Sequence, residues 1–211
     1  MSKRSRPRSW LRRILPASLA LLLVGFAYQQ IGETRDLRRF PPPGTLVDIG
    51  SARIHIDCKG TGSPTVLLEA GAAGSSLSWH TVHAEIARET RTCAYDRSGF
   101  GWSGLQPTAP TQEQVLDNLV ATLANARIQG PFVLVGHSLG GVYVRDFAYW
   151  HASDVAGIVL VDSSHENQIA RMPRELLAQQ TNSTAWIRRA MGVCRFATAV
   201  GLVRATRLWS F

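Results

Sequence analysis

Gly136-His137-Ser138-Leu139-Gly140-Gly141 constrains this chain more than any other stretch. The apolar run Pro131-Phe132-Val133-Leu134-Val135 precedes it and reads as a buried strand. Val142 to Tyr149 follows, with apolar residues at helical spacing. The order is therefore strand, Gly-x-Ser-x-Gly, helix. In that context a serine sits on a sharp turn with its hydroxyl displayed at the edge of a sheet. The glycines at 136 and 140 have a steric reason, because strand and helix backbones pass too close there for a Cβ. The Leu139 amide falls at a helix N-terminus, where it can face a developing oxyanion.

The 211 residues are enough for one domain with a real core and a short appendage, and 45% hydrophobic with 18% charged residues is ordinary for a globular chain. The net charge of +8 is unevenly placed. Lys3, Arg4, Arg6, Arg8, Arg12 and Arg13 crowd the start without an acid among them. Arg171, Arg174, Arg188, Arg189, Arg195, Arg204 and Arg207 load the end. Cations set beside apolar segments point to a membrane surface before nucleic acid. The sequence shows no nucleic-acid-binding module and no Cys/His spacing of a zinc site, and it implies neither metal nor cofactor.

Ile14 to Tyr28 is apolar and uncharged. It reads as an N-terminal signal anchor, with the folded part on the extracytoplasmic side by the positive-inside rule. The alternative is a secretory signal cleaved after Gly25-Phe26-Ala27. Gln29 to Gly44 reads as a charged tether ending in the stiff Pro41-Pro42-Pro43-Gly44. The expected organisation is a basic segment with anchor over 1–28, a tether over 29–44, a core over 45–165 and a helical segment over 166–211.

The core opens with a hairpin, Thr45–Ile49 and Arg53–Cys58 around Gly50-Ser51. Strands follow at Thr65–Ala70, Thr92–Tyr95, the run before Ser138, and Gly157–Asp162. Helices are predicted over Ser78–Arg88 and Thr111–Ala126, and after Ser138. Strands alternating with helices after a hairpin mean an α/β fold with a mainly parallel sheet.

Three stretches together resemble the α/β-hydrolase family. Gly136-His137-Ser138-Leu139-Gly140 is similar to its nucleophile elbow. Ala70-Gly71-Ala72 stands where many members carry His-Gly-x. Asp96-Arg97-Ser98-Gly99-Phe100-Gly101-Trp102-Ser103 resembles the Asp-x-x-Gly-x-Gly-x-Ser loop of the subgroup with epoxide hydrolases, haloperoxidases and proline iminopeptidases. The resemblance covers about residues 44–165 and implies a serine hydrolase with a Ser–acid–His triad in that order.

It assigns Ser138 as nucleophile and the backbone amides of Ala72 and Leu139 as oxyanion donors, with Asp96 to Ser103 structural. Asp162, at the end of the sixth strand, is the candidate acid; its other roles are capping the next helix or shaping the cleft. His165 lies on the same rim. His137 is expected to pack away from the serine, and His55, His80, His83 and His151 read as strand or helix-face residues. No histidine stands where the family places its base, and without one the serine is a weak nucleophile. Gln168–Gln180 and Thr184–Trp209 are predicted helices resembling the first part of a cap, so the chain is expected to be truncated inside it. A second strand beside the fourth, as in this family, would let Cys58 and Cys93 pair in an oxidising compartment and leave Cys194 free; two buried thiols are the alternative.

The expected activity is hydrolysis of a small-molecule ester or amide through an acyl-enzyme, by a membrane-tethered protein. A non-catalytic binding form or inactive fragment lacking the histidine is the competing reading. Acyl transfer or a lyase reaction on the same fold is a third.

Overall fold

The computed structural model describes residues 9–206, with side chains outside that description at 9–13, 179–185 and 188. The basic start before Ser9 and the Trp209 end of the last predicted helix therefore lie outside the described residues. The chain divides into two compact units: Pro42–Arg171, and the described residues up to Pro41 together with those from Met172 onward.

The first unit is built on six strands: β1 (Thr45–Asp48), β2 (Arg53–Lys59), β3 (Thr65–Glu69), β4 (Thr92–Tyr95), β5 (Phe132–His137) and β6 (Val155–Val161). They lie in the order β1-β2-β4-β3-β5-β6. β1, β2 and β4 pair antiparallel, whereas β4, β3, β5 and β6 run parallel. Residues of β3 and β5 point alternately to the two faces. Leu67, Cys93 and Leu134 enter one core cluster, with Leu119 and Leu123 of α3 (Gln112–Asn125) and Val144 and Phe147 of α4 (Gly140–Trp150). Val66, Leu68, Ala94 and Val135 enter the other with Trp79, which sits on the short 3-10 turn before α2 (His80–Ile86). Both faces of the central strands are thus covered, as apolar parallel strands require. The α3 start is set by a capping box: Gln114 N–H donates to Thr111 Oγ1 at 3.3 Å, and Thr111 N–H to Gln114 Oε1 at 2.9 Å.

Cys58 and Cys93 face each other in the β2–β4 register and form a disulfide, so the alternative of two thiols is set aside; Cys194 is free. β6 closes the order at one edge, where Ile158, Val159, Leu160 and Val161 are 40–48% exposed.

In the second unit, α1 (Ser9–Arg39) is one 31-residue helix. The residues expected as a tether are helical as far as Arg39, and the helix gives way before Pro41-Pro42-Pro43, which cannot continue it. At 1.5 Å per residue α1 reaches about 46 Å, beyond the ~30 Å of a bilayer interior. The remaining helices are α5 (Gln168–Arg171), which belongs to the sheet unit, α6 (Arg174–Ala199) and α7 (Leu202–Thr206). The predicted break near residue 182 is absent: α6 begins after Pro173 and ends before Gly201, whose φ of +71° makes the turn into α7. A Cβ on Gly201 would lie 2.6 Å from Gly25 O, so this turn packs directly on α1. Arg204 then reaches Gln29 Oε1 at 3.3 Å and Asp36 Oδ2 at 2.6 Å.

Candidate active site

Ser138 joins β5 to α4 with φ +50°, a left-handed conformation that costs a non-glycine residue about 1–2 kcal/mol and is held only by its surroundings. Those surroundings are specific. Ser138 N–H donates to Val161 O at 3.1 Å, while Ser138 O accepts from Gly141 N–H at 3.0 Å and Ser164 N–H at 2.9 Å. A Cβ on Gly136 would stand 2.7 Å from Gly140 O, and one on Gly140 would stand 2.5 Å from Glu69 O and 2.7 Å from Ala70 O. The steric requirement read from the motif is therefore met by named atoms. Gly140 in particular is what lets the start of α4 lie against the end of β3.

Ser138 borders two cavities. One, of about 380 Å³, is walled by Gly71, Ala72, Trp79, Val82, His137 and Ser138. The other, of about 520 Å³, is more polar and includes Ser138, Asp162, Ser163, Ser164, His165 and Arg171. Ala72 is thus brought to the same wall as Ser138. Leu139 follows immediately, with helical backbone angles at the α4 N-terminus. Asp162 shares the second cavity with Ser138, is exposed, and has φ +43°. Among the described residues, no hydrogen bond links Asp162 or Ser138 Oγ to a histidine. His165 Nδ1 instead accepts from Asn167 N–H at 3.0 Å and lies 3.4 Å from Glu166 Oε2.

His137, expected to face away from the serine hydroxyl, makes a ring contact with Trp79, and among the described residues no hydrogen bond joins it to Ser138 Oγ. It is the last residue of β5, past the cover of the helices, and its exposed ring stands edge-on to Trp79 with centroids 6.4 Å apart on the cavity wall.

Three features escaped sequence reasoning. Arg145, on α4, braces the loop after β6: it donates to Ser163 Oγ at 2.9 Å, Ser164 O at 2.8 Å and Glu166 Oε1 at 2.9 Å. Its place seven residues after Ser138, on the same helical face, was the available signal. His55 and Asp96 are both fully buried, with Nδ1 2.9 Å from Oδ2. The other ring nitrogen of His55 meets Pro43 O. Asp96 also accepts from Ser76 N–H at 2.6 Å and Trp102 N–H at 2.9 Å. Burial opposes ionisation of this carboxyl, but the His55 contact and the two amides prevail and hold it below its usual range.

Third, Glu69 at the end of β3 is 1% exposed and pairs with Arg97, itself 7% exposed. Tyr95 Oη donates to the same carboxylate. Burial pushes the Glu69 carboxyl up to about 7, against the pull of Arg97 and the Tyr95 hydroxyl. Sequence position alone gave no sign that this acid and this arginine meet.

With the elbow, the sheet order and the flanking loops placed, comparison with known proteins is decisive. The sequence model of the Alpha/beta hydrolase family matches residues 66–210. The chain belongs to the α/β-hydrolase family. This α/β-hydrolase is 35% identical over 151 residues to an uncharacterized protein of Schizosaccharomyces pombe, covering 57% of this chain and 28% of the relative. It is 32% identical over 112 residues to an uncharacterized vacuolar membrane protein of Saccharomyces cerevisiae, covering 51% and 17%. The solved structure of a thermophilic esterase from Thermogutta terrifontis superposes with a TM-score of 0.51 at 29% identity, covering 58% of this chain and 44% of that one. The hydrolase chain thus spans less than half the length of these relatives.

Proposed function

We propose that this α/β-hydrolase acts on an ester or amide through an acyl-enzyme at Ser138. The observation that carries the reading is the serine's left-handed backbone at the junction of two cavities, with Ala72 on the same wall. In this reading Ser138 Oγ adds to the substrate carbonyl carbon, and the carbonyl oxygen takes the charge. The Ala72 and Leu139 amides receive that oxygen, preorganised by the end of β3 and the start of α4. Collapse expels the alcohol or amine, which takes up the serine proton. Water then adds to the acyl-serine and releases the acid and the free hydroxyl. The cavity lined by Trp79 and Val82 suits an apolar acyl group, and the one lined by Ser163, Ser164 and Arg171 suits a polar leaving group.

Asp162 is the proposed acid, supported by its place in the second cavity. The absence of a histidine on Ser138 Oγ among the described residues favours a second reading, in which the same cleft binds its ligand without turnover. Reacting the full chain with a fluorophosphonate separates the two. Covalent labelling that is lost in Ser138→Ala supports the hydrolase reading, and no labelling of the parent refutes it.

We also propose that α1 anchors the protein in a membrane with the folded part extracytoplasmic. The support is one helix, Ile14–Arg39, long and apolar enough to cross a bilayer, with basic residues before it. Release of a peptide ending near Ala27 from the mature protein would show a cleaved signal instead.

A further inference from the structure

Arg97 grips the stretch that carries the proposed oxyanion donor, and this follows from the geometry of a single peptide plane. Its Nη1 donates to Ala70 O at 2.6 Å and its Nη2 to Gly71 O at 2.5 Å. Gly71 O takes a second donor, Gly74 N–H at 3.1 Å. The guanidinium is itself fixed. Glu69 pairs with Nη1, and the rings of Phe100 and Tyr143 flank the group at 5.5 and 5.4 Å. Arg97 and Glu69 are almost wholly buried, so a mobile solvent-exposed ion pair is excluded.

The Gly71–Ala72 peptide is trans. In a trans peptide the carbonyl oxygen and the following N–H point in opposite directions within one rigid plane. Whatever holds Gly71 O therefore also aims the Ala72 N–H, away from the guanidinium. Ala72 lies on the wall of the cavity that contains Ser138. We propose that Arg97 is a positioning residue: by pinning the carbonyls of Ala70 and Gly71 it aims the Ala72 amide at the oxygen of a substrate attacked by Ser138. The proposal rests on the hydrolase reading above. It gives the buried Glu69–Arg97 pair a task beyond stability, with Glu69 setting the guanidinium in place and Tyr95 setting Glu69. Two adjacent carbonyls and a carboxylate need a planar fork, which arginine supplies and the point charge of lysine does not.

The test is the reaction of the full 211-residue chain with a fluorophosphonate, resolved into reversible affinity and the rate constant of the covalent step. Arg97→Lys keeps a cation beside Glu69 but cannot hold both carbonyls. We expect the covalent rate constant to fall on the order of 10- to 100-fold, part of the 10²–10³ lost when a whole oxyanion donor is removed. Reversible affinity should stay within about twofold, since the donor acts on the developing charge. Should Arg97→Lys fail to fold, the double variant Glu69→Gln/Arg97→Met carries the test. It removes both charges together and so leaves no unpaired ion in the core. Its melting transition should be intact and its covalent step equally slowed. A folded variant that labels at the parental rate overturns the proposal, as does a loss confined to reversible affinity. Failure of the parent itself to label marks failure of the hydrolase reading, a result distinct from equal labelling of parent and variant.

Discussion

The two units treat the same residue type in opposite ways. In the sheet unit Leu67, Leu68 and Leu134 are 0% exposed, whereas in α1 Leu15, Leu19, Leu21 and Leu23 are 58–74% exposed. Leu67 and Leu68 of β3 and Leu134 of β5 are covered within the protein's own core. Those of α1 are exposed, and the proposed anchor reading has a bilayer cover them. Where the chain supplies its own cover, stability is local and measurable by unfolding. In α1, on the proposed anchor reading, the apolar surface sets location more than fold.

The sharpest way to break this contrast is to charge α1. Leu19→Arg with Leu22→Arg should cost about 2.5–3.5 kcal/mol per residue for membrane insertion and move the chain from the carbonate-resistant membrane pellet to the supernatant. A parent chain already in the supernatant would show that something other than lipid covers this face.

Next in size is the disulfide. Replacing Cys58 and Cys93 by Ala opens a link spanning 35 residues, and the sheet unit should lose about 3–4 kcal/mol in urea unfolding. Cys194→Ala, at an exposed position, should stay within about 0.5 kcal/mol. Alkylation without reductant should modify Cys194 alone.

A matched pair of leucines sharpens the comparison further. Leu134→Ala should cost about 2–5 kcal/mol, because β5 is enclosed on both faces and cannot collapse onto the cavity. Leu21→Ala should change the same unfolding midpoint by less than about 0.5 kcal/mol. Equal losses would mean that α1 is packed in the protein's own core.

How much of this was legible beforehand depends on whether the cause is local. The elbow was legible because Gly136, Ser138 and Gly140 answer to steric contacts within a few residues and between elements of strong periodicity. The family likeness put Cys58 and Cys93 on neighbouring strands, which left a disulfide and two buried thiols both open. The Glu69–Arg97 pair and the His55–Asp96 pair were not legible. Each joins residues 28 or 41 positions apart through burial that only the assembled sheet creates. The course of α1 through Arg39 was missed because charged residues favour a solvated linker as readily as the exposed face of a helix. Asp162 was legible as a position, at the end of β6, but its left-handed backbone is a property of the turn that follows.

The smallest effect concerns the two charge pairs that tie down the units. Arg204 and Asp36 meet at 2.6 Å, with side chains 25% and 51% exposed, and such exposed pairs add little to stability and fade with salt. His55 and Asp96 are wholly buried. Burial alone would lower the His55 pKa, but Asp96, the Pro43 carbonyl and Asp57 outweigh it and raise it. A group whose pKa is raised in the folded state adds stability that is complete below its unfolded value, about 6.5, and is lost as pH rises through the folded value. Asp96, lowered on folding, adds stability that is complete above about 3.9 and is lost as pH falls through its folded value. The bridge is therefore strongest between about pH 4 and 6.5 and weakens on the alkaline side. Unfolding of the sheet unit should show that decline, and His55→Gln should flatten it. Asp36→Asn should leave it unchanged. Other groups face this corner: His83 Nδ1 and Lys59 Nζ lie 3.8 and 3.1 Å from Asp57 Oδ2. His83→Gln is therefore the companion variant, and it should keep the alkaline decline. If His55→Gln declines as the parent does, the buried pair is not what fixes Pro43 and the start of β1 to the Asp96 loop.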